Sequence, residues 1–270
     1  MPSQELWLLS VAALLSVLVV VLTAHFAARP PAPGRALASL RVRDLDAARG
    51  RCGISAAAFV RAMPAYHQRQ YQALRRHTAT GGGVLALPDE LKAALVAEYR
   101  RRRPHGRREA GPNFVAYGAE ALRPTMIELS GSAALQRLAT FLARELQAWA
   151  GAGALEHTAT YGIREYHRGA RLEQHVDRPH THVISAIVHV AAEDLEHEWP
   201  LHLLPHDAAE VCAVGLRDLG ADVLFYESAT VPHGRLEPLA AAHYANIFTH
   251  YRPFDWAAHA DAALGKPLAE

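Results

Sequence analysis

RLEQHVDRPHTHVISAIVHVAA, residues 171–192, decides how this chain is read. Its second half alternates: Ile184, Ala186, Val188 and Val190 project one way, and Val183, Ser185, Ile187 and His189 the other. Such a strand has both faces covered, as a two-layer β-structure requires. Just ahead of it stands His175-Val176-Asp177. On an extended backbone, side chains two residues apart point to the same side, so an imidazole and a carboxylate here can chelate one ion. With 17 histidines in the chain, a His-x-Asp pair by itself is a weak signal, and a surface ion pair explains it equally well.

Working outward, residues 158–167, 201–205, 210–215, 222–226 and 243–251 are further short runs rich in Val, Ile, Tyr and Thr, bounded by turn residues, and read as strands. Upstream, apolar positions at three- and four-residue spacing predict helices over 54–77, 88–103 and 132–149, the last with Ser132 as N-cap. Residues 81–83 and 104–112 read as loops. Helices followed by a run of strands give an α+β fold, a jelly-roll type barrel supported by N-terminal helices. The expected division is a helical region over 44–153, a barrel core over 154–256 and a C-terminal tail over 257–270. The basic run 100–103, continued by Arg107 and Arg108, reads first as a solvated helix end.

His233 follows the strand at 222–226 and supplies a third ligand candidate. Two histidines and one carboxylate on one face leave coordination positions open, which suits Fe(II) binding a cosubstrate and O2 together. Zinc is chemically compatible with the same residues but favours a closed tetrahedral site.

At the N-terminus, the 19 uncharged residues 6–24 approach the length needed to cross a hydrocarbon core. No Lys or Arg precedes them, which favours a retained single-pass transmembrane helix over residues 1–28 rather than a cleaved signal peptide. A Pro-rich linker, 29–43, follows. Arg29, Arg35, Arg41 and Arg43 lie after the segment, and the positive-inside tendency then leaves the main domain in the cytosol.

With 270 residues and half of them apolar, the chain has room for a sizeable core. Lys plus Arg (28) balances Asp plus Glu (27), which argues against a nucleic-acid partner. Cys52 and Cys212 form no CxxC pair, excluding zinc-ribbon and thioredoxin readings. Cys212, in an alternating run, reads as a buried thiol, with one disulfide as the alternative.

The stretch from Tyr161 to Ala191, then WPLHLL (199–204), GADVLFYESATVPHGR (220–235) and HYANIFTHYRP (243–253), resembles the iron(II)/2-oxoglutarate-dependent dioxygenases, in particular the membrane-anchored prolyl 4-hydroxylase-like branch. The resemblance spans about residues 157–253. It implies a double-stranded β-helix with Fe(II) on His175, Asp177 and His233. It further implies 2-oxoglutarate and O2 as cosubstrates, L-ascorbate as an auxiliary reductant, and hydroxylation of a C–H bond in a peptide or protein, at proline in the nearest branch, with succinate and CO2 released. Anchored members often face the lumen of the endoplasmic reticulum or Golgi, in conflict with the charge rule. Tyr166 falls where the family places a tyrosine that touches the cosubstrate. His243 stands where the family carries the Lys or Arg that pairs with the far carboxylate of 2-oxoglutarate. Arg235 is the expected substitute, with His243 a weaker one and His250 and Arg252 lesser candidates. That departure favours a second reading, a non-catalytic membrane-tethered binding module. A zinc- or manganese-dependent cupin-like enzyme is a third.

Overall fold

The computed structural model describes residues 43–45, 51–110, 115–116 and 123–265. The expected anchor (1–28) and most of the Pro-rich linker lie outside them. Among the described residues no helix is long and apolar enough to cross a membrane.

In chain order the elements are β1 (Arg43–Asp44), β2 (Arg51–Ser55), α1 (Ala56–Arg61), α2 (Ala65–Ala73), β3 (Gly82–Leu85), α3 (Asp89–Arg102), β4 (Arg107–Arg108), β5 (Val115–Ala116), β6 (Thr125–Ile127), α4 (Ala133–Ala150), β7 (Leu155–His167), β8 (Arg171–His175), β9 (Ile184–Glu193), β10 (Leu201–Leu203), β11 (Glu210–Val214), β12 (Val223–Tyr226), β13 (His233–Arg235), β14 (His243–Pro253) and α5 (Trp256–Leu264). They build two antiparallel sheets. One runs β1-β3-β12-β9-β14-β7-β6-β4, the other β2-β11-β10-β13-β8-β5. This is an antiparallel jelly-roll arrangement with helices on one side.

Two cores follow from the alternation on the strands. Ile184, Ala186 and Val188 of β9, with Ala245 and Ile247 of β14, pack outward against Leu95 and Tyr99 of α3, Leu138, Leu142 and Leu146 of α4, and Trp256 of α5. Each of the α4 leucines is fully buried and contributes about 1.5–3 kcal/mol by leaving water. Ile187, Leu224, Tyr166 and Tyr244 face the other way, into the space between the sheets, beside Trp199 and Leu201. Ser132 caps α4 as expected, its side chain accepting from Leu135 N at 3.3 Å.

The region 44–153 is not purely helical, and the expectation is corrected there. The predicted helix over 54–77 is instead strand β2 followed by two helices, because Pro64 lacks an N–H and cannot sit inside a helix; it stands at the N-cap of α2. Ser55 then caps α1, accepting from Ala58 N. The glycine run at 81–83 is not simply a loop, since Gly82 and Gly83 belong to β3. A Cβ on Gly83 would stand 2.5 Å from the Phe225 ring and one on Gly82 3.3 Å from Phe225 O, so only glycine lets β3 lie this close to β12. The basic helix end is structural. Arg101 and Arg102 pair with Glu98, and Arg103 with the buried Glu165 on β7. Cys212 is buried on β11.

Candidate metal centre

β8 ends at His175 and β13 begins at His233, and the two residues are directly paired across the ladder. Facing cross-strand side chains lie about 5 Å apart at Cβ, and here the two imidazole centroids are 4.2 Å apart. Gly234 permits that approach, since a Cβ there would lie 2.8 Å from Leu172 O. Each ring is oriented by its own backbone. His175 Nδ1 lies 2.7 Å from Glu173 O and His233 Nδ1 2.9 Å from Val231 O. A carbonyl only accepts, so both Nδ1 atoms carry the proton and both Nε2 atoms present a lone pair.

Those Nε2 atoms converge on one oxygen. Asp177 Oδ1 lies 3.5 Å from His175 Nε2 and 3.7 Å from His233 Nε2. The three ligand atoms all lie within 4.8 Å of one another, a grouping able to hold one ion. The histidines are almost sealed, whereas the Asp177 side chain is 15% exposed, so the centre opens on the carboxylate side. Burial pushes His233 down to about 3, reinforced by His175 and opposed by Asp177. Burial alone would raise the Asp177 carboxyl. The surrounding imidazoles of His175, His233 and His250 outweigh it and hold that carboxyl well below its usual range. Neutral imidazole and ionised carboxylate are the forms that bind a metal.

The second Asp177 oxygen faces a polar cluster. Oδ2 is 3.5 Å from Ser185 Oγ, which in turn lies 2.6 Å from His250 Nδ1 and 2.5 Å from Ser228 Oγ. His250 stacks on His182 at 3.7 Å, and burial pushes His250 down to about 3. His182 is buried in this stack. The exposed Tyr161 closes the row, its hydroxyl 3.2 Å from His182 Nε2.

Deeper between the sheets lie the residues expected to meet a cosubstrate. Arg235 is buried two residues past His233, over the rings of Trp199 (4.3 Å) and Tyr244 (5.0 Å), and donates to Trp199 O. It makes no ion pair among the described residues. Tyr166 is fully buried, and its hydroxyl has no hydrogen-bond partner among them; the same holds for both side-chain polar atoms of Asn246. Tyr226 joins the two zones. Its ring lies 4.7 Å from His233, and burial pushes its hydroxyl well up, with Asp177 and Tyr166 adding and Arg235 opposing.

His243 is not brought to this cluster. It shares the outward face of β14 with Ala245 and Ile247, its Nδ1 2.9 Å from Glu193 and 3.2 Å from the Arg103 guanidinium. The expectation that it touches the cosubstrate is corrected by strand alternation. Arg252 likewise pairs with Glu156. Sequence reasoning also missed His67 and Gln70 on α2, which reach the loop carrying Asp177. Helical periodicity makes them one face of a packing helix, and nothing in their spacing marks them otherwise.

No protein-family model matches the chain, and no curated protein is similar to it in sequence. Solved structures are similar in fold. A prolyl hydroxylase from Trichoplax adhaerens, in complex with a hypoxia inducible factor oxygen degradation domain peptide fragment, aligns with a TM-score of 0.51 at 12% identity, over 72% of this chain and 93% of that one. A non-heme alpha-ketoglutarate-dependent epimerase from nogalamycin biosynthesis aligns with a TM-score of 0.50 at 18% identity, over 71% and 84%. At these identities the likeness is one of fold, an antiparallel jelly-roll.

Proposed function

We propose that the chain is an Fe(II)- and 2-oxoglutarate-dependent oxygenase that hydroxylates a C–H bond in a peptidyl substrate, proline being the first residue to test. The observation that carries this reading is the pairing of two sites at one end of the sheets. A His-Asp-His cluster presents three ligand atoms to one point, and a buried guanidinium, Arg235, pairs with no carboxylate among the described residues. A buried charge is normally paired. A dicarboxylate that chelates a metal at one end and reaches Arg235 with the other satisfies both. The donor set fits iron, since both histidines offer Nε2 and the carboxylate is ionised.

In this reading His175, Asp177 and His233 hold the metal, which supplies activation of O2 toward the substrate C–H bond while 2-oxoglutarate is converted to succinate and CO2. Arg235 would pair with the far carboxylate of 2-oxoglutarate. The Tyr166 hydroxyl donates to the same carboxylate. Ser185 and His250 steady the outer oxygen of Asp177. Trp199, Tyr244 and Ile187 exclude water around the cosubstrate. The absence of a cation at position 243, which favoured a binding module, is offset by Arg235. Anchoring to a membrane through residues 1–28 belongs to the same proposal and rests on the sequence alone.

The test is incubation of the full chain with Fe(II), ascorbate, 2-oxoglutarate and a proline-rich peptide library, read by mass for a gain of one oxygen and by succinate release. Succinate formation that survives in Asp177→Ala contradicts the proposal.

A further inference from the structure

We propose that Gln70, assisted by His67 one helical turn earlier, is a positioning residue that sets where Asp177 stands relative to the two histidines. This rests on the reading of His175, Asp177 and His233 as a metal site. The ladder between β8 and β13 fixes the histidines by direct pairing. Asp177 lies two residues beyond the end of β8, where no ladder holds it. Its place is set by contacts from two other segments. Its own N–H donates to Ser228 O at 2.8 Å. Gln70, buried on α2, donates from Nε2 to Asp177 O at 2.7 Å and to Ala229 O at 3.0 Å. One amide group thus ties the loop after the first histidine to the loop before the second, segments far apart in sequence.

His67 occupies the same helix face at the i, i+3 spacing that brings side chains together. Its Nδ1 accepts the N–H of Val176 at 3.2 Å, and its ring lies 6.2 Å from that of His175. The Val176 N–H and the Asp177 carbonyl are therefore both held from α2. The helix that sequence periodicity assigns to packing acts as the third wall of the metal centre. Groups that orient a ligand without touching the ion change metal affinity by about 10- to 100-fold when removed.

The test is a Co(II) titration of the full chain followed by visible absorption, with melting of the metal-free protein alongside. Gln70→Met keeps the volume and removes both donors. It is expected to weaken Co(II) by about 10-fold or more and to alter the ligand-field bands. Gln68→Met is the control, because Gln68 sits on the same helix but donates to Met63 O; it is expected to leave affinity and bands unchanged. His67→Leu is expected to weaken Co(II), and His67→Gln, which keeps an acceptor for Val176 N–H, to recover most of the loss. If Gln70→Met does not fold, this His67 pair decides. Wild-type affinity and bands in Gln70→Met, or equal loss in His67→Leu and His67→Gln, overturn the proposal while leaving the metal site intact. Wild-type Co(II) binding by His175→Ala overturns the metal site itself.

Discussion

The two faces of β14 make opposite use of alternating residues. Outward, Ala245, Ile247 and Tyr251 are buried against helices, and the Tyr251 hydroxyl finds Ala139 O at 2.9 Å. Inward, Tyr244, Asn246, Phe248 and His250 face a space that also holds Arg235, Tyr166 and the His-Asp-His cluster, and both polar atoms of Asn246 lack partners among the described residues. An unsatisfied buried polar group costs about 1–3 kcal/mol. The outer face contributes stability, and the inner face carries buried polar groups that cost some of it. The division lies between neighbouring residues of one strand.

The comparison breaks first at the metal. Asp177→Ala is expected to drop succinate formation to background, with the melting temperature of the metal-free chain largely kept; a variant that turns over normally removes the distinction between the faces. Next is the pair Arg235→Met and His243→Ala. Loss of a charged contact of about 1.5–3 kcal/mol raises the KM for 2-oxoglutarate about 10- to 100-fold in Arg235→Met, and steady-state kinetics should show His243→Ala within about 3-fold of wild type. The reverse order would return the anchor to the outer face. On that face, Ile247→Ala is expected to cost about 2–5 kcal/mol of unfolding free energy in denaturant titration, with Co(II) affinity unchanged once folded.

The smallest effect is on pH. Burial pushes His189, on the inner face of β9, down to about 4. A histidine lowered in the fold is neutral there while the unfolded chain takes up a proton below about 6.5. Its contribution is complete above that pH and is lost as pH falls toward 4. Between pH 7 and 5 the loss is on the order of 2 kcal/mol, and His189→Gln should flatten the stability profile over that range by a similar amount.

Much of this was legible in the sequence because it rests on alternation. The period-2 pattern of residues 183–190 gave a strand with two buried faces, and the same rule put His175 and Asp177 on one side. Alternation also decides against His243, which family spacing alone puts at the cosubstrate. Counting residues from the distal histidine ignores which face a position lands on. β8 and β13 went unread because five residues and three residues, one with a central glycine, carry too little pattern. Gln70 and His67 were illegible for a different reason, since their partners are backbone groups over a hundred residues away, and no side-chain pattern encodes those.

The most direct measurement of the central claim is calorimetric titration of 2-oxoglutarate into the full chain, with and without Mn(II), in wild type, Arg235→Met and Asp177→Ala. The account predicts one equivalent taken up in a metal-dependent way, much weaker in Arg235→Met and absent in Asp177→Ala. Uptake that is independent of metal, or as tight in Arg235→Met as in wild type, would contradict it.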